Sequence, residues 1–203
     1  MIKKVSINQH VSAKCSEKRE NMTDRRKLKT QKAIHQAFIE LLKEKPLNKI
    51  TVAELSERAD LGRGTFYLHY KDTYDLYEQL EEELYAELVE LFEQYTPYVT
   101  AENLRSLMEA VATYIEGKKE LFLLLMQSNA NGNVLYKIKE IFKEKVLQDE
   151  CYQQVSTYDQ IEALFIVSGM IGVLEEWLTS ELELSLKQVF ELLHRLLVKF
   201  DCS

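Results

Sequence analysis

A short basic and aromatic segment carries most of the side chains that could recognise a ligand by hydrogen bonds. Arg63, Gly64 and Thr65 open the segment Arg63–Tyr70, which contains no acidic residue. An arginine can bond guanine through O6 and N7, and a threonine offers a hydroxyl group for a base or phosphate and a methyl group for thymine. Gly64 has no side chain, so the backbone there can come close to DNA. These residue types favour contact with the base edges of DNA.

Three further hydrogen-bond donors, Tyr67, His69 and Lys71, follow at every second position. They suit phosphate oxygens, which set the register of a protein on DNA and not its sequence preference. Upstream, Thr51 with Glu54 three residues later is typical of a capping box, and a helix start at Thr51 could direct backbone N–H groups at a phosphate. Two alternatives stay open: Thr51 acts only as a cap, and His69 is an ordinary surface histidine.

Two short helices and a tight turn must position these donors. The first helix starts at Thr51 and runs for about eight residues, residues 60–62 make a turn that contains glycine, and Arg63–Tyr70 forms the second helix. This arrangement is the helix-turn-helix, in which the N-terminal residues of the second helix lie nearest to the bases. Phe66 and Tyr70 are expected in the core.

Residues 50–72 resemble the DNA-binding segment of the TetR (tetracycline-repressor-like) family. The resemblance covers roughly residues 27–78, and its motifs are Thr51-Val52-Ala53-Glu54, Arg63-Gly64-Thr65-Phe66-Tyr67 and His69-Tyr70-Lys71-Asp72. It implies that Thr51, Thr65, Tyr67, His69 and Lys71 contact DNA. The chain departs from the family where Asp60 replaces a usual glycine and Gly62 a usual polar residue, which leaves the base preference open.

The charge distribution is consistent with one DNA-facing end. The net charge is −7, but residues 1–73 hold 16 Lys and Arg against 9 Asp and Glu (+7), whereas residues 74–203 hold 10 against 24 (−14). A basic end on an acidic body is expected where only that end meets phosphate. Five basic side chains between Arg25 and Lys32 would oppose the dipole of a helix that starts at Asp24, which also indicates phosphate. The alternative, that these charges only solvate a surface, stays open.

Composition predicts an all-α protein, because the chain has only 6 Gly and 2 Pro and no strand-like alternation. We expect a disordered tail over 1–23, with Met22 as an alternative start, a three-helix helix-turn-helix DNA-binding domain over 24–71, and a helical bundle over 72–203 for dimerisation and ligand sensing. The predicted helices are Asp24–Lys45, about eight residues from Thr51, Arg63–Tyr70, Asp72–Tyr95, Ala101–Glu116, Lys118–Gln127, Val134–Tyr152, Thr157–Ser180 and Leu186–Phe200.

The last two predicted helices favour a homodimer. Thr157–Ser180 is apolar on nearly every side and Leu186–Phe200 has a broad apolar face, so a second copy is expected to cover them through Thr157 to Phe200. Ser168, Gly169 and Gly172 are small enough to allow close approach. The family resemblance implies the same four-helix interface. The alternative is that these faces form the core of the monomer.

The resemblance also implies a repressor that a small-molecule effector releases from its operator. The middle helices offer aromatic and methionine side chains for a cavity, although no ligand-binding residue can be named. Those side chains are Tyr95, Tyr98, Met108, Tyr114, Phe122, Met126 and Trp177. No enzyme motif, metal-ligand spacing or cofactor fingerprint is present, and the alternative function is a helical scaffold without DNA binding.

Compartment and membrane signals are few. The longest apolar run, residues 163–174, is 12 residues long. A membrane span needs roughly 20, so we expect no membrane segment. We also expect no signal peptide, three unpaired cysteines and a cytoplasmic protein.

Overall fold

The computed structural model describes residues 5–95, 101–128, 134–147, 156–180 and 182–201. Every long element in these ranges is a helix and none is a strand, so the all-α prediction is confirmed. The helices are α1 Val5–Glu44, α2 Val52–Arg58, α3 Arg63–Tyr67, α4 Thr73–Tyr95, α5 Ala101–Gly117, α6 Lys119–Ser128, α7 Val134–Leu147, α8 Thr157–Thr179 and α9 Leu186–Asp201, with a 3₁₀ turn at Leu47–Lys49.

The chain divides into two compact units, Met1–Asp75 and Leu76–Ser203. The division falls four residues after the predicted boundary at Lys71. Predicted and observed helix bounds agree to within a few residues over most of the chain. Residues 129–133, which separate two predicted helices, and the predicted last turn of α7 over 148–152 lie outside the described residues.

The first helix differs most from the prediction. It begins at Val5, so residues 5–23 continue α1 where a disordered tail and a helix start at Asp24 were expected. No glycine or proline interrupts these residues, and nothing in their backbone chemistry ends the helix. The basic side chains from Arg25 to Lys32 therefore lie well inside α1, and the argument from the dipole of a helix start does not apply to them.

In the N-terminal unit, α1 provides the apolar face on which the short helices pack. An apolar stripe along α1 is buried, with Phe38 and Leu41 fully enclosed, and α2 adds Leu55 at 0% exposure; the stripe consists of Ile34, Ala37, Phe38, Leu41 and Leu42. Outside this stripe, ion pairs join α1 to α2: Arg58 donates to both carboxylate oxygens of Glu44, at 2.8 and 3.1 Å. Since that pair is exposed, the buried stripe contributes most of the stability.

The turn between α2 and α3 explains one departure from the family pattern. Asp60 has φ 55°, the left-handed region in which glycine is usual and Asp is among the few tolerated substitutes. The N–H of Asp60 donates to the carbonyl of Glu57 and the N–H of Leu61 to that of Ser56, at 3.1 and 2.9 Å. This Schellman pattern ends α2 and turns the chain toward α3.

The C-terminal unit is a bundle of longer helices. Leucines repeat along α4 and are buried at Leu76, Leu80, Leu84 and Leu88. α5 packs along α9, and α7 packs along α8. A carboxylate oxygen of Glu116 on α5 accepts the N–H of Leu186 at 2.6 Å, which satisfies one of the free donors at the start of α9.

The stability of the N-terminal unit should depend on pH through His35. Its ring nitrogen Nε2 lies 2.8 Å from the hydroxyl of Tyr70, and burial lowers the pKa of His35 below its ordinary value. The folded state therefore keeps the ring neutral, whereas the unfolded chain takes up a proton below about pH 6.5. Stability is complete above that pH and falls as the pH decreases, by at most about 1.4 kcal/mol per pH unit for one proton.

His35→Gln keeps a hydrogen-bonding partner for Tyr70 and removes the titration. We expect the urea midpoint of the wild type, followed by circular dichroism, to fall more steeply from pH 7.5 to 5.5 than that of His35→Gln. Identical pH profiles for the wild type and His35→Gln would contradict this prediction.

Candidate nucleic-acid interface

Two buried rings hold the recognition helix α3 in place. Phe66 is 0% exposed and Tyr70 2%, and their ring centroids lie 5.6 Å apart. Tyr70 is joined to α1 through His35. The prediction that Phe66 and Tyr70 belong to the core is confirmed. A five-residue helix cannot persist in water by itself, so these contacts determine where its outer face points.

The opposite face of α3 is open to solvent. Arg63 and Gly64 are exposed in its first turn, and Tyr67 is 58% exposed. A Cβ atom built on Gly64 would meet nothing within 4 Å. Thr65 lies half-buried between the two faces. Of the predicted base-reading residues, Arg63 and Gly64 thus lie on the accessible surface, with free space above Gly64, and Thr65 lies at its edge.

The recognition helix is shorter than predicted. It ends at Tyr67 and not at Tyr70, so His69 and Lys71 lie in the connection to α4. The physical cause is the next helix start: Asp72 Oδ1 accepts the N–H groups of Tyr74 and Asp75, at 2.8 and 2.9 Å. The N–H of Lys71 in turn donates to Asp75 Oδ2 at 2.7 Å. The Lys71 side chain is therefore exposed on a fixed backbone, four residues beyond the end of α3.

His69 lies beside a basic side chain of α1. Burial, and then the charge of Lys27, lower the pKa of His69, so its ring is neutral near pH 7. Its Nδ1 atom is buried and has no hydrogen-bond partner within the ranges that the structure covers. Sequence reasoning placed Lys27 among phosphate candidates but could not place it next to His69, because that proximity arises from tertiary packing.

Thr51 caps α2, as predicted. Its Oγ1 accepts the N–H of Glu54 at 3.3 Å, and its side chain is exposed. The reciprocal half of the expected capping box is replaced, because the carboxylate of Glu54 forms an ion pair with Lys45. Thr51 is therefore free on its outer side for a further contact.

The aromatic and methionine side chains named for a ligand cavity are mostly in the core of the C-terminal unit. Met108, Phe122 and Trp177 are buried, Tyr114 and Met126 are half-buried, and Tyr98 lies outside the described residues. A depression of about 510 Å³ lies between α4 and α5, lined by Tyr114 together with Glu87, Glu90, Leu91, Gln94, Ala110 and Thr113. An enclosed cavity stays a prediction.

Sequence reasoning missed an ion pair between a buried carboxylate and a lysine whose side chain is 40% exposed. Glu81 is 1% exposed and bonds Lys137 at 2.9 Å. The available signal was a glutamate at helical spacing between Tyr77 and Tyr85, on the apolar side of α4. Within the described residues, no group of His, Cys, Asp and Glu could hold a metal ion. In the same residues, no helix is long and apolar enough to cross a bilayer.

Family models match both units of the chain. The model described as bacterial regulatory proteins, TetR family, matches residues 34–80. A second TetR model, described as transcriptional regulator C-terminal region, matches residues 102–199. The helix-turn-helix and most of the C-terminal bundle are therefore both covered.

Individual relatives agree with these models. The chain is 23% identical over 167 residues to an uncharacterized HTH-type transcriptional regulator, YxbF, of Bacillus subtilis. The match covers 78% of this chain and 43% of YxbF, so this chain spans less than half of the length of YxbF. A TetR transcriptional regulator from Streptococcus agalactiae superposes with a TM-score of 0.58 at 23% identity, over 87% and 98% of the two chains.

A TerR/AcrR-family transcriptional regulator from Aquifex aeolicus gives a TM-score of 0.63 at 20% identity, over 84% of this chain and 99% of that one. At this identity the solved structures establish the fold alone. Together with the two family models, they confirm the resemblance that the motifs between residues 50 and 72 indicated. The chain belongs to the TetR family of bacterial regulatory proteins.

Proposed function

We propose that this protein is a dimeric transcriptional repressor that binds a pseudo-palindromic operator in the cytoplasm and leaves it when a small-molecule effector binds. The observation that carries the proposal is the two-sided recognition helix. Phe66 and Tyr70 fix its inner face, while Arg63, Gly64 and Tyr67 present donors and free space on the outer one. Side chains that reach base edges need such a rigid support.

The surroundings of the helix extend this surface with positive charge. Lys71 follows α3 on a backbone fixed by Asp75, and Lys27 lies close enough to His69 to lower its pKa. Thr51 is exposed at the start of α2. In the proposal Arg63, Gly64 and Thr65 read bases, while Thr51, Tyr67, His69 and Lys71 contact phosphate.

A second copy of the chain is the proposed partner of α8 and α9. Large apolar side chains on these helices are exposed in the monomer: Tyr158 85%, Ile161 60%, Phe165 69%, Leu192 44% and Leu196 50%. On α8 they continue at helical spacing into Gly169 and Gly172, where an added Cβ would meet nothing within 4 Å. Such a continuous apolar face with small residues suits close helix–helix contact.

Selection of binding sites from a random DNA pool tests the function directly. A pseudo-palindrome whose half-sites are one helical turn apart, about 34 Å, is the expected result. A reporter gene behind the selected site then gives the direction of regulation. Failure to enrich any sequence, with a folded dimer in solution, would favour the helical scaffold without DNA binding.

Gly64→Ala should separate stability from DNA binding. Alanine is favoured over glycine within a helix by about 0.5–1 kcal/mol, and the free space around Gly64 accepts a methyl group. The variant should therefore unfold at the same or a higher temperature and yet bind the operator at least tenfold more weakly, because the methyl group meets DNA. Gly117→Ala on α5, also in open space, should leave affinity unchanged. Wild-type affinity for Gly64→Ala would rule out close backbone approach.

Arg63→Ala and Lys71→Ala should have different effects on binding. Arg63 lies in the first turn of α3, so its loss should cost about 1–3 kcal/mol and relax the preference at one base position. Lys71 is exposed beyond the helix, so its loss should weaken binding to all sequences and lower the log–log salt slope by about one per half-site. Binding isotherms across a salt series, on the operator and its single-base variants, measure both.

Arg105→Ala on α5 is the control for the loss of one positive charge and should change neither quantity. If Arg63→Ala reduces only the salt slope and leaves base preference intact, Arg63 contacts phosphate. Thr65 then becomes the better candidate for reading the base.

Phe165→Arg should separate the dimer. A buried aromatic side chain at the centre of an interface commonly contributes about 2 kcal/mol or more to association, and the new charge would have no partner there. The dissociation constant of the dimer should therefore rise by about 30-fold or more. Sedimentation measures the change, and operator affinity should fall with it. Tyr136→Arg on α7, where the wild-type side chain is 59% exposed, is the matched control. A Phe165→Arg protein that remains a stable dimer would place the interface elsewhere.

A further inference from the structure

An exposed leucine ends the recognition helix. Leu68 is the C-terminal cap of α3 and is 83% exposed. Among the large apolar side chains that the structure describes, only that of Tyr158 on α8 is more exposed. The side chain of Leu68 therefore contributes little to the stability of the N-terminal unit. Single exposed apolar residues are common on protein surfaces, so the meaning of this one depends on where it lies.

Leu68 belongs to the outer face of α3. Its backbone is still helical, with φ −75° and ψ −17°, so Leu68 lies one turn from Gly64 on the same face of the helix. Helical side chains lean toward the N-terminus of their helix, which directs Leu68 toward the turn that contains Gly64. It does not fill the space there, because a Cβ atom built on Gly64 would meet nothing within 4 Å. A base edge that approaches the backbone at Gly64 would therefore have Leu68 beside it.

The chemistry of leucine restricts what Leu68 can recognise on DNA. Its neighbours Tyr67 and His69 are the proposed phosphate contacts, but leucine has neither a donor nor an acceptor and cannot bond a phosphate oxygen. Among the groups by which the major groove distinguishes base pairs, the C5-methyl group of thymine is the apolar one. This methyl group is also nearer than O4 to the sugar–phosphate backbone of its own strand. It thus lies between the base atoms that the first turn of α3 reads and the phosphates.

We propose that Leu68 reads one thymine in each half-site of the operator through an apolar contact with the C5-methyl group. The inference rests on the proposed function, because it adds a specificity-determining residue to the same DNA-facing surface. Leu68 then favours thymine over cytosine at this position, since cytosine presents an amino group and no methyl group. Thr65 also carries a methyl group that suits thymine, so the test has to distinguish the two residues.

Removal of single methyl groups from the DNA tests the contact. Each thymine of the selected operator is replaced in turn, in both half-sites, by deoxyuridine, which keeps the base pair and lacks only the methyl group. Binding of the full-length protein is measured by fluorescence anisotropy. Burial of one methyl group corresponds to about fourfold in affinity, so the wild type should bind about 15-fold more weakly when both half-sites are substituted at the position that Leu68 reads. Leu68→Ala should bind the thymine operator more weakly and show no further loss there with deoxyuridine.

Two further variants identify the source of the effect. Leu68→Met keeps an apolar side chain and should keep most of the deoxyuridine penalty. Thr65→Ser removes the methyl group of Thr65 and keeps its hydroxyl group, so the penalty at the position assigned to Leu68 should remain. The melting temperature of Leu68→Ala should equal that of the wild type, because the side chain is 83% exposed. A loss of affinity in this variant then reflects the lost contact with DNA and not unfolding.

The outcomes distinguish this inference from the proposed function. The inference is overturned if deoxyuridine weakens wild-type binding at no position, or by the same factor in the wild type and Leu68→Ala at every position. Loss of the penalty in Thr65→Ser, with Leu68→Ala unchanged, would assign the methyl contact to Thr65. In each of these cases the protein still binds its operator, and the proposed function stands. Failure to select any operator would refute both.

Discussion

The burial of Phe66 and Tyr70 is the constraint on which the DNA-facing surface depends. α3 has five residues and too few internal hydrogen bonds to be stable in isolation. Its orientation is therefore decided by two aromatic rings packed beneath it and by the hydrogen bond between Tyr70 and His35 on α1. The packing of Phe66 and Tyr70 fixes the backbone of α3. The side chain of Arg63 and the open space at Gly64 can therefore face solvent without contacts that hold them in place.

The two ends of α3 are fixed by different chemistry. Before it, Asp60 takes up the left-handed conformation that closes α2, at a position where the family usually has glycine. After it, Asp72 caps α4 and Asp75 bonds the backbone of Lys71. These short-range bonds cut the recognition helix to five residues and place Lys71 on a turn. The carboxylates of Asp72 and Asp75, which lie near the surface that is proposed to bind DNA, thus accept hydrogen bonds from backbone N–H groups. These bonds reduce the repulsion between the two carboxylates and phosphate.

Much of this arrangement follows from the sequence because the signals are local. The cap at Thr51, the glycine-containing turn and the apolar spacing of Phe66 and Tyr70 each depend on residues only a few positions apart, and the structure has all three. What could not be predicted depends on competition or on tertiary contact. The end of α3 is set by the next helix start, and the proximity of Lys27 to His69 by the packing of α1. The continuation of α1 to Val5 is different, because the absence of glycine and proline over residues 5–23 is a local signal to which the prediction of a tail gave no weight.

The ion pair between Glu81 and Lys137 also depends on tertiary contact, and the signal for it in the sequence is the weakest. Periodicity alone assigns the inner face of α4 to leucine and tyrosine, and a carboxylate that is 1% exposed there costs desolvation. One lysine recovers part of that cost through one oxygen. An apolar side chain of similar size would pack at this position without that desolvation cost. The side chain of Lys137 is 40% exposed, so its ammonium group keeps contact with water and the desolvation cost of the pair falls on the carboxylate of Glu81.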